Sequence, residues 1–314
     1  MSEIAREIAS QPECWRRAAT LAASVADVLP PAGARVAAVG CGTSLYVARA
    51  YAALREAAGL GETDAFAASE FPAGRRYDVV VAITRSGTTT EVLRLLDGTR
   101  AFTASVVLTT DEAVPAAALA DRSVVLGFAD ERSVVQTRFA TSTLALLRAN
   151  LGEDLSGAIS DAERALEADL PAGLERHERF VFLGHGWTVG IADEAALKLR
   201  EAALASTEAY PAMEYRHGPI SLADERALVW ILGSPDPAVA DDVAGTGATV
   251  RIASRDPMAE LVLVHRLAVG LAQARGLDPD HPRNLTRSVV LSPAGDVADR
   301  GSERISMHAT RGER

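Results

Sequence analysis

From Ile4 to Val28 apolar positions recur at intervals of three and four in an alanine-rich stretch that Pro30-Pro31 stops, which predicts one amphipathic helix bracing the outside of the fold. Beyond it the pattern changes. Short runs that are apolar throughout and rich in β-branched residues alternate with helical stretches: ARVAAVG (34–40), a helix over 44–58, DVVVAIT (78–84), a helix near 89–97 that Gly98 stops, SVVLTT (105–110), RSVVLG (122–127) and a helix over 141–150. Strands with no polar face, spaced by helices, predict a parallel sheet covered on both sides.

After Leu151-Gly152-Glu153 the same grammar restarts. An Ala/Glu-rich helix (157–169) precedes RFVFLG (179–184), a helix over 188–204, ALVWILG (227–233), ATVRIAS (248–254) and a helix over 261–276. AAVGCGTSLYVARA and VFLGHGWTVGIADEA occupy equivalent places, each an apolar strand running through Gly-x-Gly into a helix, a weak internal repeat that implies paired domains. The expected organisation is α/β: an N-terminal helix (1–29), a first subdomain (30–152), a second (153–293) and a polar tail (294–314) without an assigned role.

A chain of 314 residues, 48% hydrophobic and 24% charged, can bury a sizeable core. Its net charge of -10 disfavours nucleic acid and anionic membrane surfaces as partners. No apolar run approaches the roughly 18 residues that cross a bilayer. Cys14 and Cys41 stand far apart, without metal-ligand or CxxC spacing, so neither zinc nor a disulfide framework is implied and a cytoplasmic location fits.

Two loops carry candidate chemistry. In GCGTS (40–44) glycines permit a tight turn while Thr43 and Ser44 set hydroxyls at a helix start, where free amides and the dipole favour an anion. TRSGTTTE (84–91) repeats that logic with Thr84, Ser86, Thr88, Thr89 and Thr90 around Gly87. Singly, such hydroxyls are as readily helix caps; together, on adjacent parallel strands, they can converge on one phosphate. GCGTS lacks the third glycine of a dinucleotide fingerprint and no GxxxxGK[ST] loop occurs, so no cofactor is expected.

In the segment 193–221 Lys198 and Glu201, three apart, share a helix face, and Glu214 and His217 precede Gly218-Pro219. Carboxylate, ammonium and imidazole at one pocket suit proton transfer at a sugar carbon, although an exposed helix pair and a structural histidine would read the same way. Within HPRNLTRSVVL (281–291), a proline-bounded loop leading to a predicted terminal strand, Arg283 and Arg287 are either anion ligands or surface groups.

The order of EIASQPE, GCGTS, the SGTT loop, EAALKLRE with EAYPAMEYRHGP, and HPRNLTRSV resembles the sugar isomerase (SIS) domain family. The likeness is nearest to the isomerase half of glucosamine-6-phosphate synthases and to free-standing glucosamine-6-phosphate deaminases, over about nine tenths of the chain. It implies two SIS subdomains, each a parallel sheet flanked by helices, in a homodimer that shares its active site. It also implies that Ser44, Thr84, Arg85, Ser86 and Thr89 grip a sugar phosphate, with Val134 and Gln136 of ERSVVQTRF as sugar contacts. Glu201 falls on the base that moves a proton between C1 and C2, Lys198 on its helper and His217 on the ring-opening group lent by the partner. Arg85 stands for a glutamine, Thr84 and Gln136 for serines, and Arg287 for a lysine that forms an imine. A guanidinium is a poor nucleophile, so at Arg287 the resemblance leaves binding and orientation of the open chain.

No glutaminase portion occurs in the sequence, so glutamine is not an expected nitrogen donor. The expected activity is deamination with isomerisation of glucosamine 6-phosphate or a related amino-sugar phosphate. The alternatives are plain aldose–ketose isomerisation of a sugar phosphate and a non-catalytic phosphosugar sensor.

Overall fold

The computed structural model describes residues 2–170, 173 and 176–291. The tail 294–314 lies outside the described residues.

The chain opens with α1 (Glu3–Ala9) and α2 (Gln11–Ser24), two helices where the periodicity predicts one. Pro12 is the cause. It has no amide to offer the Ile8 carbonyl, and its ring crowds that group. The Gln11 side chain donates to the Ile8 carbonyl instead, at 3.2 Å. At the head of α1 both carboxylate oxygens of Asp280 accept from the Glu3 and Ile4 amides, each at 2.8 Å, so the far end of the chain satisfies donors the helix leaves open.

Next come β1 (Val36–Gly40), α3 (Thr43–Ala57), β2 (Thr63–Ala67), β3 (Val79–Ile83), α4 (Thr90–Thr99), β4 (Ala104–Thr109), α5 (Pro115–Leu119), β5 (Arg122–Val125) and α6 (Arg138–Asn150). These strands form a parallel sheet ordered β2-β1-β3-β4-β5. α7 (Ser156–Glu167) leads into β6 (Arg179–Gly184), α8 (Thr188–Ala203), β7 (Ser206–Pro211), β8 (Ala227–Ile231), α9 (Ala238–Ala244), β9 (Thr249–Ile252) and α10 (Pro257–Ala274). The second sheet, ordered β7-β6-β8-β9, is again parallel and reproduces four strands of the first. At α10 the Asp256 carboxylate caps the Met258 amide (2.9 Å) and Pro257 starts the helix.

Alternate side chains of the central strands enter different cores. Val36, Ala38, Val81 and Ile83 of the first sheet and Phe180, Phe182, Leu228 and Trp230 of the second share one core with α3, α6, α8 and α10. Ala37, Val39, Val80 and Ala82 face outward onto α4, whereas Val181, Leu183, Val229 and Ile231 face outward onto Tyr215 and α9. The two sheets thus flank a common helical layer. The internal repeat reaches single residues: a Cβ on Gly40 would lie 2.5 Å from the backbone of Ser44, and one on Gly184 2.4 Å from that of Thr188, the same point of each strand-to-helix turn.

The strand predicted at the end of HPRNLTRSVVL is absent. Residues 288–291 lie in an irregular segment with Val289, Val290 and Leu291 exposed. The edge strands β2 and β7 escape the sequence pattern because their half-buried, polar-containing sequences, TDAFA and STEAYP, lack an unbroken apolar run.

Candidate functional site

β1 and β3 are neighbours, and the strand order reverses direction between them, which opens a crevice at their carboxyl ends. Both hydroxyl loops sit there. The backbone after β1 turns through Cys41 and Gly42 into α3, with Thr43 and Ser44 buried at the helix start. After β3, Thr84 Oγ1 accepts from the Gly87 amide (3.2 Å) and Ser86 Oγ from the Thr88 amide (3.3 Å), so the loop's own hydroxyls shape it. Thr89 is the N-cap of α4, and its side chain makes no cap hydrogen bond.

The second half enters this crevice through α8. Lys198 Nζ donates to Thr43 Oγ1 (2.8 Å) and pairs with Glu201 Oε2 (2.6 Å). Glu194, unremarked in the sequence, completes the group: Thr43 donates to its Oε1 (3.3 Å), and Lys198 Nζ lies 3.4 Å from the same oxygen. Glu194, Lys198 and Glu201 follow at intervals of four and three, one stripe of α8, so spacing alone would have found Glu194 beside the other two. Burial pushes the Glu194 carboxyl up to about 7, against the pull of Lys198, and its Oε2 is buried without a partner. Burial also works against the Lys198 ammonium, but the carboxylates of Glu194 and Glu201 outweigh it and its pKa rises. The result is a protonated lysine held against a carboxylate, Glu201, that retains some solvent access.

Close approach of α3 and α8 makes this junction possible. A Cβ on Gly190 would meet the Tyr46 carbonyl at 2.5 Å and the Ala50 amide at 2.8 Å.

The ERSVVQTRF loop forms the third side. Glu131 Oε1 accepts from the Thr137 amide (2.6 Å) and hydroxyl (2.9 Å) and from the Arg138 amide (2.8 Å), which folds the loop back on itself. Gln136 Oε1 is buried without a hydrogen bond. The buried guanidinium of Arg85, expected among the phosphate ligands, donates to the carbonyls of Ser133, Val134 and Arg287, and burial lowers its pKa. Arg287 likewise pairs with Asp130 (2.6 Å) and donates to the Glu131 carbonyl. His217 lies in the 3-10 turn Glu214–His217 beyond β7; it is exposed, and no hydrogen bond or ion pair joins it to Lys198 or Glu201. A separate hollow of about 380 Å³ between α4 and the turn at Ala68–Glu70 contains none of these residues.

No family model matches the chain. It is 26% identical over 299 residues to an isomerizing glutamine–fructose-6-phosphate aminotransferase of Sulfolobus acidocaldarius, covering 82% of this chain and 50% of that protein. The chain spans about half the length of the first curated relatives it matches. Among solved structures, a glucosamine-6-phosphate deaminase from Thermotoga maritima superposes with a TM-score of 0.78 at 25% identity, covering 92% of this chain and 100% of that one. A tagatose-6-phosphate ketose/aldose isomerase from Escherichia coli gives 0.76 at 19% identity over 94% and 97%, which shows the shared fold. With its duplicated parallel sheets and paired hydroxyl loops, the chain matches these aminotransferase and phosphosugar-isomerase relatives in sequence and fold, in keeping with its resemblance to the sugar isomerase (SIS) domain family.

Proposed function

We propose that this protein is a sugar-phosphate enzyme that deaminates and isomerises an amino-sugar 6-phosphate, glucosamine 6-phosphate or a close relative. The observation that carries the reading is the Thr43–Lys198–Glu201 junction, since Thr43 adjoins Ser44 in one hydroxyl loop while Lys198 and Glu201 form an acid–base pair. A phosphate held by Ser44, Thr84, Ser86 and Thr89 leaves the other end of the sugar to that pair, beside Val134 and Gln136. His217 of a second copy protonates the ring oxygen, Glu201 passes a proton between C1 and C2 through a cis-enediol or enolamine, and Lys198 stabilises the developing oxyanion; with an amino sugar the C2 ketiminium so formed adds water and expels ammonia, leaving the ketose.

Plain aldose–ketose isomerisation is the second reading. The engagement of Arg287 with Asp130 and the Glu131 carbonyl favours it, because that side chain offers no amine for an imine. Ketose and ammonia measured together on hexose and hexosamine 6-phosphates separate the two. Ammonia stoichiometric with ketose supports deamination; ketose alone supports isomerisation. Phosphosugar binding without either product would sink both.

A further inference from the structure

Two arginines remote in sequence meet beside the candidate site. Arg85, on the loop after β3, is 2% exposed and donates to the carbonyls of Ser133 (2.8 Å), Val134 (3.3 Å) and Arg287 (2.9 Å). Arg287 directs its own fork to the Glu131 carbonyl and to the Asp130 carboxylate, at 2.6 Å from the latter. Each arginine therefore grips the 130–134 stretch, and Arg85 also holds the backbone of Arg287. A guanidinium suits this task, since its planar fork serves two acceptors at once.

The terminal segment hangs on that grip. Ser288 Oγ lies 3.1 Å from Ser86 Oγ and 2.9 Å from Thr88 Oγ1. The Val289 carbonyl accepts from the Thr90 amide (3.2 Å), and the Leu291 amide donates to Thr90 Oγ1 (2.9 Å). Apolar burial contributes little: Val289, Val290 and Leu291 are 53%, 67% and 46% exposed. A segment lying on a loop without burying its apolar side chains depends on its polar anchors.

We propose that Arg85 and Arg287 are positioning residues, a clamp that keeps the terminal segment docked on the hydroxyl loop and the 130–134 stretch, and that neither guanidinium contacts the sugar. The inference rests on the functional reading above and deepens it. Protein acceptors engage both terminal nitrogens of each guanidinium, while Arg85 Nε is buried without a partner, so hydroxyls and backbone amides hold the phosphate and Lys198 serves as the cation at the sugar end.

Hydrogen exchange on the full chain tests the clamp without any sugar. Asp130→Asn, a change at a surface carboxylate, and Arg287→Lys, which keeps the charge but loses the fork, are expected to raise exchange in the peptides holding Thr90 and Leu291 by about ten-fold. Peptides from β6 and β8 serve as the folding control and should not change. The double variant should exceed neither single one by more than about two-fold, because both remove the same contact. In turnover of a hexose 6-phosphate or hexosamine 6-phosphate, Asp130→Asn should raise KM with kcat held within about two-fold, since no group at the reacting carbons is lost. Unchanged exchange in both variants would overturn the clamp. So would weaker hexose 6-phosphate binding by Arg287→Lys at unchanged exchange, which would make Arg287 a ligand. A wild-type chain that binds no phosphosugar would instead overturn the functional reading, and the exchange comparison would still decide the clamp.

Discussion

Glu194 is fully shut away from water with a threonine hydroxyl and an ammonium as its neighbours, and burial governs its charge. Its carboxyl rises from the ordinary 4.5 to about 7, so the folded chain binds this proton more tightly than the unfolded chain. The stability it supplies is complete below about pH 4.5 and is lost as pH rises through about 7. Glu194→Gln keeps the side-chain shape and an acceptor for Thr43, and should flatten this slope. Unfolding free energy from urea titrations between pH 4.5 and 8 should fall by less in the variant, with a difference on the order of 2–3 kcal/mol across the window. Parallel curves would show that Glu194 does not titrate there. For Glu201 the expectation concerns rate. Glu201→Gln should lower turnover by about 10²–10⁴-fold while phosphosugar binding persists, and wild-type turnover would remove it as the base. Residue types identified the Lys198–Glu201 pair, whose spacing settles a shared helix face. The resemblance implies a phosphate ligand at Arg85; in the fold, burial brings its guanidinium to the carbonyls of Ser133 and Arg287.

At the scale of elements, the crossing of α3 and α8 joins the two halves of the site. Gly190→Ala should push these helices apart, since the new methyl would meet backbone at 2.5 Å, closer than real Cβ contacts come. The expected cost is about 1–3 kcal/mol, read as a lower urea midpoint at an unchanged slope. Phosphosugar affinity should weaken with it, because Thr43 and Lys198 lie on the displaced helices; an unchanged midpoint would mean that the crossing has room. Central strands and long helices were legible because burial on both faces or on one stripe imposes a pattern on the residues themselves. RFVFLG matched its strand residue for residue. Elements failed where one residue or a distant partner decides. Pro12 splits the N-terminal periodicity, and 288–291 follows the contour of the hydroxyl loop instead of pairing as a strand.

At the scale of the whole molecule, the inner faces of both sheets share one core through α3, α6, α8 and α10, so the second half can reach the loops of the first. His217 remains the exception, exposed and unbonded to the Lys198–Glu201 pair within one chain. If a second copy supplies it, mixing inactive Glu201→Gln and His217→Asn chains should restore one intact site per mixed dimer, roughly a quarter of wild-type activity at equal proportions. No recovery after verified subunit exchange would assign His217 to its own chain or to no catalytic role.

The amino-acid sequence alone determined the duplicated α/β architecture, the two hydroxyl loops and the Lys198–Glu201 spacing, because strand burial, tight turns and helical periodicity are local and leave their mark within a few residues. Tertiary structure alone decided that Thr43 meets Glu194 and Lys198 more than 150 positions later, and that Arg85 and Arg287 bond to backbone. Such contacts depend on which buried groups remain unsatisfied once the sheets and helices have packed, a long-range condition that no short stretch of residues contains.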